Sequence, residues 1–231
     1  HYHSLKGKII RLDRWYNHAV SKDNNEFKGH LPIFEMGINA FAATDYSGYS
    51  VPGFMELKQS KSFEVNLRLF RFSGGLQRIK NSIGFVSGLE LNLNDYRFSV
   101  PYTLVNEERR TGPVLLQEEG LSKTKLATTF LTVPLLIEFQ LPAKFQENRI
   151  YISGGIIGGL KLGSHTKVEQ FGHKMKDHND FNINPFRWGA TFRIGFKDIN
   201  LFATYYKTPI FKEGRGPEMF PFSIGIGLIN K

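Results

Sequence analysis

The chain has 231 residues, 41% of them hydrophobic, and sets 30 Lys and Arg against 21 Asp and Glu for a net charge of +9. That length suits one all-β domain or barrel without a second domain, and the lack of cysteine excludes a disulfide framework or a thiolate metal site. The cations are scattered, with no recognition-helix pattern, which argues against nucleic acid and for acidic lipid headgroups or lipopolysaccharide phosphates as their counterpart.

Residues 1–30 are polar and basic with little periodicity. Lys6–Arg11 reads as a short strand and Asp23-Asn24-Asn25 as a turn. We read this stretch as an N-terminal leader segment outside the main fold, which residues 31–231 form. The first residue is His1 and no basic-then-apolar segment opens the chain, so an export signal is expected to have been removed or to lie outside it.

From Pro32 onward, apolar and polar residues alternate in strand-length runs. Successive side chains of a strand point to opposite faces, so each run makes a ribbon with one greasy and one polar side. The first carries Phe34, Met36, Ile38 and Ala40 opposite Glu35, Gly37 and Asn39; a polar stretch, Thr44–Lys61, follows. The second sets Phe63, Val65, Leu67 and Leu69 against Glu64, Asn66 and Arg68. A short turn at Ser73-Gly74-Gly75 leads to Ile83, Phe85, Leu89, Leu91 and Leu93 opposite Gly84, Gly88, Glu90 and Asn92. A long charged loop is expected from about Val100 to Lys123.

The fourth strand alternates Leu131, Val133, Leu135, Ile137 and Phe139 with Thr132, Pro134, Glu138 and Gln140. Pro134 lacks a ladder donor and predicts a bulge or a locally open edge. A turn near Pro142–Asn148 precedes Ile152, Ile156, Leu160 and Leu162, opposite Tyr151, Ser153 and Lys161; a polar loop is expected from Ser164 to Asn184. The sixth strand sets Trp188, Ala190, Phe192, Ile194 and Phe196 against Arg187, Gly189, Thr191 and Arg193. Lys197-Asp198 is a tight hairpin before Ile199, Leu201, Ala203 and Tyr205, and the last strand carries Phe220, Phe222, Ile224, Ile226 and Leu228.

About eight strands, with long connections after the odd ones and short turns after the even ones, match an eight-stranded antiparallel up-and-down transmembrane β-barrel. A Greek-key sandwich has no reason to keep that alternation. A soluble lipocalin-type barrel is the competing architecture, but its interior would be apolar where this one carries Glu and Arg. The apolar phase is then the lipid-facing wall: Phe34, Phe63, Leu67, Phe85, Leu135, Ile137, Trp188, Phe192, Leu201, Phe222 and Ile226.

The polar phase places Glu35, Glu64, Glu90 and Glu138 with Arg68, Lys161, Arg187 and Arg193 in the lumen. Desolvating an unpaired ion is costly, so these charges are expected to form a salt-bridged network plugging a lumen just wide enough for side chains. A charge-selective conduit is the functional alternative. The loop residues His165, His173, Asp177, His178 and Asp180 lack a recognised ligand spacing and are read as solvated. Ser164 and His165 could supply a hydrolase pair, but neighbours on a strand point apart. No glycine-rich phosphate cradle opens a helix, and no cofactor is implied.

Several stretches resemble a known family: Phe27–His30 followed by Phe34–Asn39, Leu131–Phe139, Ile156–Lys167, Phe181–Phe186 and Gly216–Phe222. In this order they resemble the small outer-membrane β-barrel proteins of the Bacteroidota, the outer membrane protein beta-barrel domain family with its PorT-like members. The resemblance covers roughly residues 27–230 and implies one antiparallel barrel in the outer membrane with the leader on the periplasmic side. PorT-like relatives are tied to secretion machinery, and no catalytic motif carries over. The chain departs from the usual aromatic end of such barrels, finishing Gly227-Leu228-Ile229-Asn230-Lys231. The expected role is a non-enzymatic scaffold or accessory subunit of an envelope complex with other envelope proteins; a small-solute channel and an outer-membrane lipid hydrolase are the alternatives.

Overall fold

Period-two alternation forces each ribbon to bury one face against its own opposite wall, and eight strands satisfy this by closing on themselves. The computed structural model describes residues 27–77, 82–107, 110–142 and 149–228. The strands are β1 (Phe34–Asp45), β2 (Phe63–Gly75), β3 (Ile83–Arg97), β4 (Tyr102–Glu107), β5 (Arg110–Leu115), β6 (Leu121–Pro142), β7 (Arg149–Gln170), β8 (His173–Asp177), β9 (Phe186–Phe196), β10 (Ile199–Tyr206) and β11 (Glu218–Leu228).

Strands β1, β2, β3, β6, β7, β9, β10 and β11 pair in sequence order, and β1 pairs with β11 to close the antiparallel ring. The eight-stranded up-and-down barrel is therefore as read from the pattern. Strand β8 continues the sheet beside the far end of β7, and β4 and β5 form a separate hairpin.

Burial follows the alternation: β9 is exposed at Phe186, Trp188, Ala190, Phe192, Ile194 and Phe196 and buried at every residue between. Strand β2 breaks step between Arg68 and Phe70, leaving both Leu69 and Phe70 outward. At Pro134 there is no register shift. Pairing to β3 runs from Ser87–Leu135 to Glu90–Thr132 in one register, with the two rungs beside Pro134 missing. A missing donor opens the ladder locally without inserting a residue.

Three expected loops turn out to carry more structure, the first being Val100–Lys123, which holds the β4–β5 hairpin. Strand β7 runs on to Gln170, and β8 pairs against Thr166–Gln170. The ladder persists there with Val168 as the only apolar residue of Thr166–Gln170, too little for alternation to mark it. Within Thr44–Lys61, Phe54 and Met55 are fully buried, and Gln59–Lys61 make one turn of 3-10 helix.

The long connections converge over one end of the barrel. Phe54 and Met55, Leu104, Phe181 and Ile183, and Ile210 and Phe211 join Tyr96, Phe98, Leu126, Phe130 and Met219 in one apolar cluster. Each large side chain removed from water there contributes about 1.5–3 kcal/mol. The loops also tie to one another. Thr111 Oγ1 donates to the Phe181 carbonyl at 2.7 Å, Tyr49 donates to the Thr111 carbonyl at 2.7 Å, and Asn182 Nδ2 donates to Asn106 Oδ1 at 2.9 Å. Tyr46 packs edge-on to Phe54, and burial pushes its hydroxyl pKa up.

The opposite end is occupied differently. Phe27 and Leu31 pack against Val86 and Leu136 on the inner face of β3 and β6. Of the expected leader, Phe27–His30 thus lie inside the barrel end; the strand at Lys6–Arg11 and the turn at Asp23–Asn25 fall outside the described residues.

Candidate functional site

Between these two apolar clusters lies a buried polar layer, built from the inward phase of the strands. Glu35 of β1 faces Arg193 of β9 across the lumen, and the pair is bidentate: Nε and Nη2 donate to Oε1 and Oε2 at 2.9 and 3.0 Å. Glu90 Oε1 stands 3.5 Å from the same Nη2. Asn200 Nδ2 donates to Glu35 Oε1 at 2.9 Å, and Asn200 Oδ1 accepts from the Tyr151 hydroxyl at 2.9 Å. Tyr151 reaches that position by lying over Gly195, where an added Cβ would come within 2.2 Å of the ring. Glu35 is thus paired with both its oxygens bonded, the arrangement that makes burial of charge tolerable.

Glu64 accepts from Asn66 Nδ2 at 2.9 Å, and Asn92 Nδ2 extends the chain to Asn66 Oδ1 at 2.5 Å. Among the described residues Arg187 pairs with no carboxylate. Its guanidinium is held between the rings of Phe130 and Tyr206, 3.8 and 3.9 Å from their centroids, while Nη2 donates to Asn92 Oδ1. A planar cation between two aromatic faces is stabilised by their quadrupoles without a counter-ion in contact.

Glu138 finds its partner in the N-terminal segment. The His30 backbone N–H donates to Oε2 at 2.9 Å, the ring Nδ1 is 2.8 Å from Oε1, and the ring stacks on Tyr151 with centroids 4.4 Å apart. Gln140 Nε2 donates to Glu138 Oε1 at 2.7 Å and to the Lys28 carbonyl at 2.8 Å.

Of the eight ionic residues expected in the lumen, Glu35, Glu64, Glu90, Glu138, Arg187 and Arg193 are buried there. Arg68 is half-buried and donates to the Leu31 carbonyl rather than to a carboxylate. Lys161 departs from the expectation. It lies beside the bulge near Phe130 and pairs with Asp180 of the β8–β9 connection, so its charge is spent at the loop end. Sequence reasoning also missed His30 and Asn200, and placed Tyr151 on the polar face without giving it a role. The amides and Tyr151 share the inward phase of the glutamates, a signal that was available; His30 precedes any periodic run.

The eleven wall residues all point outward. Phe85, Leu135, Ile137, Trp188, Phe192, Leu201 and Ile226 are exposed, and Phe34, Phe63, Leu67 and Phe222 are half-covered by their neighbours. Ser164 and His165 face opposite sides. The Ser164 hydroxyl donates to the Asn179 carbonyl at 2.7 Å, and the His165 ring lies 5.1 Å from that of His178. Asp180 serves Lys161 and Lys212, and among the described residues no three acidic or imidazole side chains converge as metal ligands.

A closed eight-stranded barrel with an apolar exterior and a polar interior has the lipid-exposed geometry of outer-membrane proteins. Residues 34–216 match the family model described as the outer membrane protein beta-barrel domain. The chain belongs to that family. No curated protein matches this outer membrane beta-barrel protein. Membership makes it an integral outer-membrane protein, and the family match covers β1 through the connection before β11.

Proposed function

We propose that this barrel is a non-enzymatic scaffold or accessory subunit of a larger envelope complex in a Gram-negative bacterium, with a lumen plugged from both ends. The resemblance noted above to PorT-like proteins of the Bacteroidota favours a secretion or outer-membrane assembly complex. The observation that carries the reading is the succession along the barrel axis: apolar loop cluster, ionic layer centred on Glu35 and Arg193, then Phe27–Leu31. An interior filled in this way leaves the loops, the outer wall and the N-terminal segment as working surfaces. In this reading the short turns face the periplasm and the long loops face outward, the usual disposition of such barrels.

Planar-bilayer recording tests the plug: the purified protein is expected to give no steady conductance, and a sustained open-channel current would favour the small-solute channel instead. Mild-detergent purification from native membranes tests the scaffold role. A stable set of co-purifying envelope proteins is expected; a protein that emerges alone argues against an accessory subunit. Lipid hydrolysis abolished by His165→Ala would instead support the hydrolase reading.

A further inference from the structure

On the outward face, beyond the apolar band, four cations stand in direct cross-strand register. Arg97 of β3 pairs with Lys125 of β6, Lys125 with Lys167 of β7, and Lys167 with Lys176 of β8. Like charges placed directly opposite one another destabilise a sheet, so four in a row on adjacent strands need a compensating anion. The next rung adds Lys123 and Lys174 on either side of Glu169. Among the described residues, the acids that pair with these cations are Asp95, with Lys125, and Glu169, 3.8 Å from Lys167. The six cations thus outnumber those two carboxylates. Around the edge of β3 and β6, an open cleft of about 350 Å³ is lined by Arg97 and Lys123 together with Lys58 and Glu118.

The height of this patch points to its counter-ion. A spanning strand needs about 10 residues to cross the hydrocarbon, whereas β6 and β7 have 22 each. The outward apolar residues of β6 stop at Leu131 and those of β3 at Leu93, so Arg97 and Lys125 stand about 10 to 15 Å above the band at ordinary strand rise and tilt. They share the outward phase of the apolar wall, on the side of the barrel rather than on the loop cluster at its end. Anionic headgroups attract cations held at such a level.

We propose that the Arg97–Lys125–Lys167–Lys176 row binds the phosphorylated sugar headgroup of an outer-leaflet glycolipid. The inference rests on the orientation given above, with the long loops outside.

The test uses the full chain in detergent with fluorescent rough lipopolysaccharide carrying a phosphorylated inner core, read by anisotropy, and the same glycolipid after dephosphorylation. The triple variant K125Q/K167Q/K176Q is expected to bind the phosphorylated probe about 100-fold more weakly, while keeping the compact electrophoretic mobility of a folded barrel. The single variant K125Q, with an intermediate loss, serves if the triple variant does not fold. Unchanged affinity in the folded variants, or equal binding of the dephosphorylated probe to the unaltered protein, overturns the proposal; so does an acidic peptide that displaces the glycolipid completely. Orientation is read separately. The chain has no cysteine, so Glu213→Cys, in the exposed β10–β11 loop, reports labelling by an impermeant maleimide on intact cells. Labelling without phosphate-dependent binding sinks this inference alone, whereas absence of labelling removes the orientation and the inference with it.

Discussion

Replacing Arg193 by methionine removes the cation that two buried carboxylates share. Glu35 would lose both charge-assisted bonds, at 2.9 and 3.0 Å, and keep only the amides of Asn200 and Asn66. Glu90 would lose its 3.5 Å contact, and its Oε2 already has no hydrogen-bond partner among the described residues. Breaking a buried pair from one side costs about 3–5 kcal/mol because the charge left behind is uncompensated. Glu35→Gln is milder, about 1–2 kcal/mol, since an amide oxygen still accepts from Asn200 and Arg193 retains Glu90. The double variant E35Q/R193M should lose less than the two singles together, because it leaves one buried carboxylate where R193M leaves two. Urea unfolding in phospholipid vesicles, followed by the mobility difference between folded and unfolded barrel, reads all three. With a slope of about 2 kcal/mol per molar, Arg193→Met should lower the midpoint by about 2 M. A shift under about 0.5 M, or strict additivity in the double variant, would refute an ionic layer that holds the lumen together.

Leu135→Arg places a charge on an exposed outward position and should cost about 2–4 kcal/mol in vesicles if that level is near the bilayer midplane; a negligible cost would show that this wall does not meet lipid there. Gly225→Ala would put a Cβ 2.2 Å from the Met36 carbonyl oxygen at the β1–β11 seam, so the yield of folded barrel should fall, with overpacking costing about 1–3 kcal/mol; unchanged yield would deny the close approach. Phe54→Ala empties a fully buried position of the loop cluster at about 3–5 kcal/mol. The loops should become protease-sensitive while the barrel keeps its folded mobility, and simultaneous loss of both would make cluster and barrel one cooperative unit. His30→Ala leaves Glu138 with Gln140 and a backbone N–H and should cost about 1–3 kcal/mol in the same urea assay, with faster proteolysis at residues 27–33; no change would mean that the segment is not held by this contact.

Period-two alternation is a local property, set by the geometry of each strand. The outward row Phe34, Met36, Ile38, and the inward burial of Glu35, Glu64, Glu90 and Glu138, could therefore be read from residue order alone. So could strand number and the alternation of long and short connections. Extensions such as Thr166–Gln170 could not: Thr166 and Val168 are buried, but one apolar residue in five carries no alternating signal. Nor could the partners. Glu35 and Arg193 lie 158 residues apart and Glu138 and His30 lie 108 apart; only closure of the ring and the stagger of its strands determine which inward side chains meet. The same stagger sends Lys161 to Asp180, seats Arg187 between two rings, and aligns Arg97, Lys125, Lys167 and Lys176 in one row. Sequence by itself settled which face each side chain takes, since that depends on its immediate neighbours; tertiary structure decided what it touches, since that depends on how distant strands slide past one another before they lock.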